Sequence, residues 1–210
     1  RRHTRYPLVT GVQTCALPIS VSHCGFVMLG IGVFNTISVY GAILQMISHG
    51  LMTALFFAAI GMVYYRTHTR QVDKLGGILL NMPFISSVFM LAGLCSLGLP
   101  GLSGFVAEMT VFIGSWENTQ LWVRVATVLS CASIVVTAVY ILRATGKVIM
   151  GPLRSSYENL SDAGWYEKWA ALFLLAGILA MGLAPFLLNY IMGNEAAAIV
   201  AATPTVMINK

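Results

Sequence analysis

No Asp, Glu, Lys or Arg occurs between residues 6 and 65. Three more uncharged stretches follow, at 75–107, 125–142 and 169–194. A water-soluble domain cannot be built this way, because about a quarter of its residues carry charge. About 20 apolar residues rising ~1.5 Å each cross a hydrocarbon core of roughly 30 Å. Within that core every backbone N–H and C=O needs a protein partner, which leaves helices or closed barrels, and continuous apolarity without strict alternation selects helices. The pattern predicts an all-α, polytopic transmembrane helix bundle. Its spans fall near 21–40, 42–65, 83–99, 121–144 and 168–190, with a shorter apolar segment at 103–116.

Composition agrees. With 58% apolar and 9% charged residues, the chain is neither a soluble globule nor a disordered polymer. The net charge of +5 is 12 basic minus 7 acidic residues, and Arg1, Arg2 and Arg5 supply three of the positive charges, which leaves +2 on residues 6–210. No basic stripe suits a nucleic-acid partner. The lipid bilayer is the expected surroundings.

Breakers and charges place the connections. Arg66 to Lys74 is followed by Gly76 and Gly77, with Pro83 opening the next helix. Gly98, Pro100, Gly101 and Gly104 interrupt an apolar run, and 117–120 is a short polar turn. Residues 151–167 form a polar connection, after which Trp165, Tyr166 and Trp169 suit an interfacial aromatic belt. If every segment crosses, 66–74 and 143–168 lie on opposite sides with three and four basic residues; the small excess favours a cytoplasmic 143–168. Residues 1–20 stand apart. They lack an initiator Met and the firm apolar core of a signal peptide, and residues 9–19 read like sequencing-adapter read-through, so a non-native leader on a chain truncated upstream is expected.

Polar residues within apolar spans mark pathways or partners by default. Glu108 has 33 uncharged residues before it and eight after it. Its segment, 103–116, is roughly 21 Å long as helix, too short to cross comfortably. With Ser103 as N-cap, Glu108 sits near the start of a half-helix after a Gly/Pro break, like the discontinuous helices of transport sites. It serves either as a proton-exchanging group or as a neutral acid or ion pair that locks two helices. Gln45, His49 and Thr53 recur every four residues along one helical face. An imidazole there can pass a proton and reset by tautomer exchange, or make a static interhelical hydrogen bond.

Thr127, Ser130, Ser133, Thr137 and Tyr140 form another one-sided line. It either borders a hydrated path or packs helices. Lys147 and Arg143 continue that helix towards the interface, where snorkelling suits them. His23 lies at the start of the first span, either at a path mouth or at the interface, and His68, between two arginines, reads as solvated. Cys15, Cys24, Cys95 and Cys131 form no close pair, so no iron–sulfur or zinc site and no disulfide is visible. Gly30-Ile31-Gly32 lacks the rest of a dinucleotide fingerprint. No cofactor site is therefore expected on this chain.

Four ordered motifs carry a resemblance. They are Ser20-Val21-Ser22-His23-Cys24-Gly25-Phe26, Gln45-Met46-Ile47-Ser48-His49-Gly50-Leu51, Tyr65-Arg66-Thr67-His68-Thr69-Arg70 and Leu97-Gly98-Leu99-Pro100-Gly101-Leu102-Ser103-Gly104-Phe105-Val106-Ala107-Glu108. From about residue 20 to 185 the chain resembles the antiporter-like subunit family, nearest to chain M (subunit 4) of proton-pumping NADH:quinone oxidoreductase, respiratory complex I. The resemblance implies the second five-helix repeat, with one discontinuous helix, over 21–150. A final transmembrane helix follows at 168–194, then a C-terminal tail at 195–210.

It also implies that Glu108 is the functional glutamate of the broken helix, and that His23 and His49 belong to a hydrophilic proton axis. Gln45, Thr53, Thr127, Ser130, Ser133, Thr137, Tyr140 and Lys147 are then candidates to line the path. By the same resemblance, NADH, flavin, iron–sulfur clusters and quinone would bind in partner subunits of the membrane complex and not on this chain. The first repeat's glutamate and lysine have no counterpart here, so this half alone should not complete a channel. Related sodium/proton antiporter and hydrogenase subunits more often carry lysine where Glu108 stands, which favours chain M. An interaction-only membrane scaffold is the alternative of another class. The resemblance further implies an integral multi-pass protein of the bacterial inner membrane.

Overall fold

The computed structural model describes residues 12–69, 74–150 and 160–202, with side chains from residue 19. Among these residues the chain is helical and contains no strand: α1 (Val12–Val33), α2 (Thr36–Thr67), a 3-10 turn (Ile78–Leu80), α3 (Pro83–Ser96), α4 (Ser103–Trp116), α5 (Leu121–Ile149), α6 (Trp165–Leu183) and α7 (Pro185–Ala202). By length and composition α2, α5 and α6 are each apolar and long enough to span a membrane.

α2 is the central post. Its stripe Ser38, Gly41, Gln45, Ser48 and Met52, at alternating steps of three and four, is buried and faces α4. The pairing is antiparallel. Ser48 Oγ donates to Ser103 Oγ at 2.8 Å, Gly41 lies against Val111, and Gly114 lies against the backbone of Ser38. Small residues at these crossings let the two backbones approach. A second layer joins α2 to α3, α5 and α6 through Leu55, Phe56, Ile85, Phe89, Ile141 and Ile178, with Phe56 and Phe89 ring centroids 4.7 Å apart.

Several boundaries differ from those expected. The first two spans do not meet at residue 41. Helix α1 ends at Val33, Phe34 takes a left-handed φ of 54°, and Asn35 caps α2. Asn35 Oδ1 accepts from the Ser38 N–H at 2.7 Å, and its Nδ2 donates to the Gly114 carbonyl at 2.6 Å. Gly41 is instead a packing position inside α2. Helix α1 begins at Val12 and Ile19 is in the core, so residue 20 is not a structural boundary. The last span is not one helix over 168–194. α6 stops at Leu183, Ala184 leaves helical geometry and Pro185 opens α7, because proline cannot supply the amide that would continue the ladder.

The topology agrees with the expected discontinuous helix and removes the alternative in which every segment crosses by itself. Cys95 at the end of α3 lies beside Ser103 at the start of α4, with Sγ and Oγ 3.4 Å apart, and both halves run antiparallel to α2. α3 and α4 therefore make one crossing, broken at 97–102. In consequence the described parts of 66–74 and 143–168 are not on opposite sides. Arg66, at the end of α2, binds the Glu167 carboxylate at 2.6 and 3.3 Å and donates to the carbonyls of Ser161, Asp162 and Met62. The Asp162 carboxylate accepts the N–H groups of Phe84 and Ile85 at the start of α3. One ionic cluster thus ties the adjoining ends of α2, α3 and α6.

Candidate functional site

The break in α3–α4 positions a buried polar row. Helix α3 closes with the Gly98 N–H donating to the Cys95 carbonyl, and Gly98 adopts a left-handed φ of 64°. Helix α4 restarts at Ser103, as expected, but Ser103 is not its N-cap. Leu102 holds that position without a side-chain bond, and the Ser103 hydroxyl is engaged with Ser48 and Cys95. Glu108 stands on the second turn of α4 with Ala107 and Val111, on the face turned into the bundle, and is 4% exposed.

Three residues from three helices meet there. Glu108 Oε1 lies 3.6 Å from His23 Nε2, and His23 Nδ1 lies 3.0 Å from His49 Nδ1. His23 is 3% exposed, so it is an interior residue between the carboxyl and the second imidazole, not an interfacial one. Phe26 stacks beside His23 and itself meets Phe112 edge-on, which fills the space around the ring with apolar surface. Of the two Nδ1 atoms one donates and the other accepts, so the rings hold opposite roles at that bond. At 3.6 Å the carboxyl–imidazole contact exceeds hydrogen-bond length; a shortening of several tenths of an ångström would close it. His49 is half-buried and, with Cys24, Val27, Met28 and Met46, lines a groove between α1 and α2.

The other candidates divide. Gln45 is wholly buried, and neither its Oε1 nor its Nε2 has a hydrogen-bond partner. The α2–α4 register sets it at the height of Ala107 and Glu108. Thr53 shares its helix face with His49, but its hydroxyl donates to the His49 backbone carbonyl at 2.6 Å and not to the ring. The α5 line is real as a face but separates along its length. Ser130, Ser133, Thr137 and Tyr140 border a groove with Ser22, Gly25 and Phe26 of α1, whereas Thr127 faces Phe112 and Trp116 of α4. Thr127, Ser133 and Thr137 donate to carbonyls of α5 itself. Thr137 Oγ1 donates to Ser22 Oγ at 3.5 Å, one residue from His23. Lys147 is exposed at the far end of α5, away from the row. Tyr140 is also largely exposed, and His68 is an exposed left-handed cap of α2.

Sequence reasoning missed two features. One is Gly98, whose lack of a side chain leaves room for Glu108 Oε2; a glycine inside a breaker run carries no sign of what approaches it. The other is the Arg66–Glu167–Asp162 cluster, whose members are about a hundred residues apart. Among the described residues no group of three His, Cys, Asp or Glu side chains is placed to hold a metal ion.

A helical bundle with one crossing broken around a buried carboxyl, in register with imidazoles from two neighbours, defines an integral multi-pass membrane protein of the antiporter-like class. Residues 19–135 match the family described as NADH:quinone oxidoreductase/Mrp antiporter, TM, and the chain belongs to that family. Among curated relatives it is 40% identical over 188 residues to NAD(P)H-quinone oxidoreductase chain 4 2 of Synechococcus sp. (strain JA-3-3Ab), covering 87% of this chain and 35% of the relative. It is 38% identical over 188 residues to NAD(P)H-quinone oxidoreductase chain 4 of Acaryochloris marina (strain MBIC 11017), with the same coverages. The chain thus spans about a third of those relatives' length. Its fold is that of a chain in respiratory complex I from Thermus thermophilus with bound NADH, with TM-score 0.82 and 24% identity over 92% of this chain and 40% of that one. A chain of the Mrp complex from Dietzia sp. DQ12-45-1b is also similar, at TM-score 0.78 and 21% identity over 88% and 42%.

Proposed function

We propose that this chain is the part of a chain 4 subunit of an NAD(P)H:quinone oxidoreductase that carries one half of a proton path. The row Glu108–His23–His49 carries the reading, since a buried acid in line with two imidazoles is a relay geometry. Closing the first contact lets Glu108 Oε1 give a proton to His23 Nε2. His23 then passes its Nδ1 proton to the lone pair of His49 Nδ1. Glu108 ends as carboxylate, His23 as the opposite tautomer and His49 as the protonated ring, so one proton has moved with no change of charge at His23. Gln45 stands at the height of Glu108, and the Ser130–Ser133–Thr137 face reaches Ser22 beside His23, as path lining would. The chemistry of NADH, flavin, iron–sulfur clusters and quinone belongs on this reading to partner subunits of the assembly.

The test is Glu108→Gln in the whole subunit within its membrane complex. Quinone reductase activity of the assembled, uncoupled complex should persist while the ratio of protons moved to electrons transferred falls severalfold. An unchanged ratio in a correctly assembled complex would sink the reading. The family description also covers Mrp antiporters, which favours a second reading as a cation/proton antiporter subunit. Sodium-dependent growth supported without quinone reductase activity would select it. Intact transport in Glu108→Gln, with damage to polar faces affecting assembly alone, would select a scaffold.

A further inference from the structure

The Glu108 carboxyl is held between two neighbours. Oε1 faces His23, and Oε2 lies over Gly98 in the loop that joins the two half-helices. A Cβ built on Gly98 would stand 2.5 Å from Oε2 and 3.3 Å from Cδ of Glu108. Glycine therefore serves twice here. It accepts the left-handed φ of 64° that ends α3, and it leaves the volume that the carboxyl fills.

Glu108 cannot escape the collision by swinging into solvent, because it is 4% exposed. A methyl group at Gly98 would have to push the carboxyl along α4 or rotate it, and either movement changes the distance from Oε1 to His23. The neighbouring Gly101 separates the two roles of glycine. Its φ of 92° is at least as unfavourable to a side chain, yet a Cβ there meets only Leu183 Cδ2 at 3.9 Å.

We infer that Gly98 is a positioning residue for Glu108: the interhelical loop sets the carboxyl's distance and rotation relative to His23 through direct contact with Oε2. This rests on the proton-relay reading for its functional consequence, but not for its geometry. The experiment uses the whole subunit in its membrane complex. Glu108→Gln identifies the Glu108 carboxyl band in the infrared difference spectrum. Gly98→Ala should shift that band and lower the proton-to-electron ratio at least threefold, whereas Gly101→Ala should leave the band in place and the ratio within twofold of the parent.

Shortening the acid restores room for the methyl group. Glu108→Asp should therefore mask Gly98→Ala, so that the double variant pumps no worse than Glu108→Asp alone and assembles even where Gly98→Ala alone does not. An unshifted band in Gly98→Ala, or losses that simply multiply in the double variant, would overturn the inference. Failure of the relay reading would look different: the band would shift in Gly98→Ala while pumping stayed intact in both Gly98→Ala and Glu108→Gln.

Discussion

At the scale of single residues, His23 is the geometric link of the row. It touches Glu108 through one ring nitrogen and His49 through the other, so removing the ring breaks both contacts at once. The expected outcome for His23→Gln in the assembled complex is a fall in the proton-to-electron ratio as large as that in Glu108→Gln, with no further fall when the two are combined. Groups acting in series are non-additive in this way. Independent, multiplying losses measured in reconstituted vesicles would show that the two act separately. Glu108, His23 and His49 were individually legible, because each is a polar exception within apolar sequence. Their meeting was not, since residues 23, 49 and 108 belong to three helices whose relative rotation no local pattern specifies.

At the scale of elements, the informative features are the helix ends. The turn between α1 and α2 has no glycine or proline at its centre. It is closed by Asn35, which satisfies the first amides of α2 and clamps the end of α4 through the Gly114 carbonyl. Asn35→Ala should cost about 1–3 kcal/mol, the sum of a lost N-cap and a lost interhelical hydrogen bond. The purified membrane complex should show this as a lower midpoint of thermal unfolding, and an unchanged midpoint would deny Asn35 that role. The half-helix over 103–116 was readable to the residue because its limits coincide with a breaker run and a polar turn. The boundary at 34–35 was hidden, since an apolar run permits a helix to end at many places and tertiary contacts choose among them; the break at Pro185 follows from the proline itself.

At the scale of the whole molecule, joining α3 and α4 into one crossing redistributes the charges. Among the described residues, Arg66, Lys74, Arg143, Lys147 and Lys168 lie towards the end held by the Arg66–Glu167 pair, and Arg124 lies at the opposite end beside Trp116 and Asn118. The positive-inside rule, indecisive while the two basic loops were set on opposite sides, now predicts that the Arg66 end faces the cytoplasm. In a background without the exposed Cys24 and Cys131, Lys74→Cys should react with an impermeant thiol reagent from the cytoplasmic side and Glu117→Cys from the other. The reverse pattern would overturn the orientation.

The linear chain by itself determined that this protein lies in a membrane, that it is helical, and that Glu108 and His49 are polar exceptions within its apolar spans. These follow from the energetic cost of putting charge in lipid, which every residue reports locally. Only the tertiary structure decided that His23 is an interior residue, that Arg66 and Glu167 face one another, and that Gly98 makes room for the carboxyl. Such facts depend on how side chains from distant segments fill a common volume, and packing of that kind leaves no periodic trace along a uniformly apolar sequence.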